Sequence, residues 1–171
     1  MNRDIAILGL VEIVSAISIG IFLLALTYKI VEWAGRKYYK IEAFNLSYNI
    51  FTAAIIISVG IMAASVLQPL VSSFRLLDKD VTALYALVKF IGFGGIYISI
   101  AYVFSILIGL VSTFLYAKLT TIDEFEEIRK DNVGVAIIVG SIIITLSLLS
   151  RSGVELLIES IIPYPTLSDF R

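Results

Sequence analysis

From Val133 to Ser150 the chain runs for 18 residues without a charged side chain. In water such a stretch has no second face to present. Wound as a helix at about 1.5 Å per residue it covers about 27 Å, close to the hydrocarbon thickness of a bilayer. In lipid each backbone N–H and C=O must find its partner within the segment, so a single span has to be helical. Asn132, just ahead of the run, is a residue suited to cap such a helix, and Arg151 marks its far end.

Three other runs read the same way. Spans are expected at about 5–31, 49–74, 84–117 and 132–151, making one transmembrane domain over 1–171. The expected class is an all-α integral membrane protein with four transmembrane helices in two repeated pairs, joined by interfacial connections. Composition agrees: 59% of residues are hydrophobic and only 16% charged, against about a quarter charged in soluble domains. The net charge of −1 gives no electrostatic footprint for nucleic acid, and none is expected as a partner. Cysteine and histidine are absent. That removes disulfides, thiol chemistry, His-ligated haem and the usual zinc and copper sites. No metal or cofactor is expected. Arg3 before an apolar run resembles a signal peptide, but the run is long and carries Glu12, so it is expected to remain as the first helix.

Four polar residues interrupt the apolar runs: Glu12, Gln68, Lys89 and Arg151. They come from four different helices and fall towards one end of the bundle. An acid inside a membrane usually pairs or serves an ion path, so Glu12 is expected to meet Lys89 or Arg151. The other reading is that each reaches water separately. Small residues mark the helix-packing faces: Ala53 and Ser58 in helix two, and Ala101, Ser105 and Gly109 at four-residue spacing in helix three. Gln68-Pro69 is expected to kink or stop helix two. Beyond Arg151, the stripes Val154, Leu157, Ile158, Ile161 and Arg151, Glu155, Glu159 predict an amphipathic extension over 152–162.

The first connection interleaves Arg36, Lys37 and Lys40 with Trp33, Tyr38, Tyr39, Phe44 and Tyr48. Between two spans this reads as an interfacial aromatic belt with contacts to lipid phosphate. In the second connection Thr121 and Glu124 have capping-box spacing. Ile122, Phe125 and Ile128 fall on one side, with Asp123, Glu126, Glu127 and Lys130 around the other. A short helix on the membrane surface is expected, its acids solvated rather than holding a divalent ion. Seven basic residues lie on the side of the connections and six on the other, which places both termini outside.

A shift of 83 lays helix two on helix four. Asn49, Ala53, Ile55, Ser58 and Ile61 then meet Asn132, Ala136, Ile138, Ser141 and Ile144. On that register Asn49 and Asn132 are the helix caps. Two such halves, each with two spans, would insert the same way round, related by an axis along the membrane normal.

The stretch KLTTIDEFEEIRKDNVGVAIIVGSIII carries a resemblance. With Leu119, Thr120, Asp123, Glu124, Asn132 and Ala136 it resembles the repeat unit of the YjfL-like bacterial and archaeal membrane proteins, domain of unknown function 350. The family's Gly before Asn is Asp131 here, and Tyr48 in the first repeat. The resemblance implies a four-span protein without an established activity and supplies no catalytic residues. The residues show no nucleophile–base set, paired intramembrane acids or cofactor motif. The expected partners are the lipid bilayer and either further copies of the chain or other membrane subunits. An oligomeric component with a passage for ions or small solutes, and a non-conducting scaffold, both stay open.

Overall fold

The computed structural model describes residues 3–42, 44–75, 83–120 and 123–161, without the side chains of 3–12, 15, 16, 19, 67–75, 83–91 and 93. Among these residues five helices follow one another: α1 (Arg3–Tyr38), α2 (Leu46–Arg75), α3 (Ala83–Leu119), α4 (Glu124–Arg129) and α5 (Val133–Ile161). Among the described residues there is no strand, so the chain is all-α. Three helices, not the four expected, are long and apolar enough among those residues to cross a bilayer. They are Leu46–Val66 of α2, Gly94–Leu119 of α3 and Val133–Ile161, the whole of α5. The expected span at 5–31 lies in α1, where most side chains ahead of Gly20 fall outside the described residues.

The first turns of α2 and α5 meet: Asn45 bonds to Ile128, and Ser47 to Asp131. Further along, Ser58 bonds to Ser147. The two helices therefore run parallel, and they form the most extensive packing in the molecule. α3 returns between the two halves and lies against both α2 and α5. Among the described residues α1 packs on α2 alone.

The core is divided along the bundle. Towards the connections Tyr48, Phe51, Tyr116, Ile128, Val135 and Val139 pack together. Towards the other end Met62, Val66, Tyr97, Ala101, Val154 and Ile158 do so. Buried hydroxyls turn back on their own helices, as when Thr27 donates to the Leu23 carbonyl and Thr52 to that of Tyr48. Local pairing of this kind lets a helix carry hydroxyls at low cost away from water.

The structure changes several expectations. α2 begins at Leu46, so Asn49 is an exposed residue inside it rather than its cap. The cap is Asn45, whose Oδ1 accepts from the Tyr48 N–H at 2.6 Å. The two capping asparagines, Asn45 and Asn132, are thus 87 positions apart. The shift of 83 instead sets the exposed Ser141 on the buried Ser58. Two apolar helices align passably at several shifts, because the 3.6-residue period repeats.

Pro69 does not end α2, which runs on to Arg75. Its ring removes one N–H, and the bonds on either side keep the helix going. Ala53 faces outward, and Ala54 takes the packing position instead. A Cβ built on Gly140 would come within 2.9 Å of the Ala54 Cβ, so glycine there sets the distance between α2 and α5. Gly109, by contrast, has open space where a Cβ would go. α5 passes Arg151 without a break, and of the expected apolar stripe Val154 and Ile158 are buried while Leu157 and Ile161 stay exposed.

Candidate functional site

The four polar residues expected to gather at one end are placed as follows. Glu12 lies in α1, Gln68 near the end of α2 and Lys89 in the second turn of α3. The side chains of these three lie outside the described residues, and so does the expected pairing of Glu12 with Lys89. Arg151 is exposed on α5, and no described carboxylate forms an ion pair with it. Glu155 and Glu159 continue its stripe without bridging to it.

A second polar group sits between the two core clusters. Ser58 of α2, Ser105 of α3 and Ser147 of α5 are all buried, with Ser58 and Ser147 fully so. Ser58 Oγ lies 3.2 Å from Ser105 Oγ and 2.6 Å from Ser147 Oγ. Ser147 spends its one proton on the Ile143 carbonyl, at 2.8 Å. It must therefore accept from Ser58, and Ser58 in turn accepts from Ser105. The hydroxyls form a one-way chain linking all three apolar helices. Such a chain is suited to fixing helix register in lipid, where few other directional contacts exist.

The third group is the junction of the connections. Asn45 accepts from Tyr48 with its oxygen, as above. Its Nδ2 donates to the carbonyls of Ile128 at 2.8 Å and Arg129 at 3.1 Å, the last turn of α4. Asp131 reciprocates: its Oδ1 accepts from the Ser47 N–H at 2.8 Å, in the first turn of α2. Asp131 holds φ at 62° to do so. Asparagine and aspartate tolerate that left-handed region better than other side-chain-bearing residues. Each half of the chain thus caps a helix of the other. The Tyr48 hydroxyl adds a bond to the Val31 carbonyl, with its ring over Gly35, which ties α1 to the same junction.

At α4 the capping residue is Asp123, which accepts from Phe125 N–H and Glu126 N–H. The expected pairing of Thr121 with Glu124 lies outside the described residues, and Glu124 itself is buried. Asn132 accepts from Val135 N–H at 3.4 Å ahead of α5, and donates to Glu127 Oε2. That bond, with a lysine ion pair from Lys130 at 3.1 Å, holds the Glu127 carboxyl below its ordinary range.

The family model described as Domain of Unknown Function (DUF350) matches residues 90–162. Over this segment, less than half of the chain, the sequence is similar to that family. No curated protein and no solved structure matches the chain. The DUF350 segment holds most of α3 and all of α4 and α5, hence Ser105, Ser147, Glu124 and Asp131. Its partners in each bonded group, Ser58, Asn45 and Ser47, come from the part of the chain that precedes it. The DUF350 segment is therefore bonded at two levels to α2.

Asn45 and Ser47 were not singled out by sequence reasoning, and Glu124 was singled out for capping and resemblance, not for burial. Asn45 had a local signal, an asparagine just ahead of an apolar run. The Ser47–Asp131 bond had none, because it joins residues 84 apart.

Proposed function

We propose that this chain is a multi-pass component of a cell membrane, non-catalytic, which acts in an assembly of several copies and there forms a passage for ions or small solutes. Both termini lie outside in this reading, and α1 supplies the fourth span. The passage runs between copies, not through one chain. The observation that carries this is the filled axis of the bundle: Ser58, Met62, Val139 and Ser147 are fully buried where α2, α3 and α5 meet. Among the described residues α1 leans on α2 only, which leaves it the helix freest to face a neighbouring copy, with Glu12 as the residue to serve the permeating ion.

The same filled axis favours a second reading, a non-conducting scaffold of a larger membrane complex, in which Glu12 and Lys89 hold helices together. Two measurements separate them. Mass determination in nanodiscs gives the copy number, and liposome flux compares the unaltered chain with Glu12→Gln. Several copies with a flux that falls in Glu12→Gln support the passage. A closed, non-conducting particle that comes with other membrane subunits overturns it in favour of the scaffold. A monomer without flux and without companions overturns both.

A further inference from the structure

At the connection end a cavity of about 960 Å³ opens between the end of α1, the end of α3 and α4. Tyr39 and Phe125 stack face to face on one side of it, with ring centroids 4.2 Å apart. Lys40, held at φ 52°, and Arg129 border it as well. So does Glu124, which is only 8% exposed. Its carboxylate takes no hydrogen bond and no ion pair from any described residue. Its oxygens are not among the fully buried atoms that lack a partner, so they stay accessible, and the cavity is where a cationic ligand can reach them.

We propose that this cavity binds the amine-phosphate headgroup of a phosphatidylethanolamine-type lipid, with Glu124 receiving the ammonium and Lys40 and Arg129 the phosphate. The inference rests on the membrane placement of α3 and α5, not on any conduction. Three observations select this ligand. The described acids do not converge into a group able to hold a metal ion. A lone anion would satisfy Lys40 and Arg129 but leave Glu124 as it is, whereas a headgroup carrying both charges satisfies all three. A primary ammonium also brings N–H donors for a charge-assisted bond, which a trimethylated one lacks. The stacked rings give its short carbon linker an apolar wall. The cavity reaches Ala117, inside the span that ends at Leu119, so a lipid whose head sits here has its tails beside α3.

The test uses the full chain purified in detergent, with thermal unfolding followed by the fluorescence of Trp33, the sole tryptophan. Phosphatidylethanolamine, phosphatidylcholine, phosphatidylglycerol and soluble phosphoethanolamine are each titrated in. The expected result is a saturable rise in Tm with phosphatidylethanolamine, weaker with the other two lipids. Half-saturation should move about tenfold upward in Glu124→Gln, the size expected for one charge-assisted bond. If Glu124→Gln does not fold, Lys40→Asn serves, since asparagine keeps the left-handed backbone and removes the charge. Equal shifts with phosphatidylglycerol, or shifts unaltered in both variants, overturn the proposal. So does an equal shift with soluble phosphoethanolamine, which would make the ligand a free compound. None of these readouts depends on flux, so a failure here is distinct from a failure of the passage.

Discussion

Ser58 donates its hydroxyl proton to Ser147, at 2.6 Å, because Ser147 has already given its own to the Ile143 carbonyl. The direction follows from counting protons, and it makes Ser58 the middle member of the chain. Replacing Ser58 with alanine strands the Ser105 donor in a buried site and removes two bonds. The expected loss is about 1–2 kcal/mol of stability in detergent. Ser105→Ala, which removes the terminal donor only, should cost roughly 0.6 kcal/mol. The double variant should cost less than the sum, because the stranded donor is gone. Unfolding midpoints of the four proteins in one detergent check this.

Asp131 serves two demands at once, a left-handed backbone and a cap for α2. Asp131→Gly keeps the first and loses the second. Asp131→Ala loses both. Alanine should therefore destabilise by about 2 kcal/mol, and glycine by at most about half of that. If the two variants unfold at the same point, the backbone conformation of Asp131 is not what sets the cost.

Two glycines of the spans should respond in opposite ways. Gly140→Ala forces a methyl against Ala54 at the tightest point of the α2–α5 contact. A loss of about 1–3 kcal/mol is expected. Gly109→Ala meets open space and removes a flexible residue from a helix. A neutral result or a gain of up to about 1 kcal/mol is expected. Parallel melting curves decide, and a cost at Gly109 equal to that at Gly140 would contradict the packing described.

The connection end carries a pH dependence with a definite sign. The Asn132 amide, and then Lys130, hold the Glu127 carboxyl below its ordinary 4.5. A depressed carboxyl stabilises the fold above its unfolded value, and the contribution disappears as pH falls through the folded one. Lys130 is shifted upward, first by Glu127 and then by Glu126. Its contribution is complete below the ordinary lysine value and fades as pH rises through the raised one. Glu127→Gln should flatten the acid side of the Tm–pH curve, below about pH 5, and leave the neutral region little changed. Titration of the two proteins side by side measures it.

What could be read in advance divides along physical lines. The runs 133–150 and 96–117 carry no charge, and the cost of a charge in lipid makes such runs legible one residue at a time. Small residues at regular spacing pointed to Ser58 and Ser105, which do meet. The same signal misplaced Ala53 and Gly109, since small size says that a close approach is possible and not that it occurs. The shift of 83, which made Asn49 a cap, misled for a related reason. Apolar helices look alike at many shifts. The burial of Glu124 stayed hidden because its neighbours Asp123, Glu126 and Glu127 present the same chemistry and are more exposed than it is. Burial of one acid among four is decided by how α4 sits on α3 and α2, which no local pattern records.

The bond between Ser47 and Asp131 also has a history in time. A ribosome adding about 5–20 residues per second needs roughly 4 to 17 s to travel the 84 positions between them. For that interval the start of α2 in a newborn chain lacks the cap that Asp131 supplies. That cap exists only once the trailing half has been made.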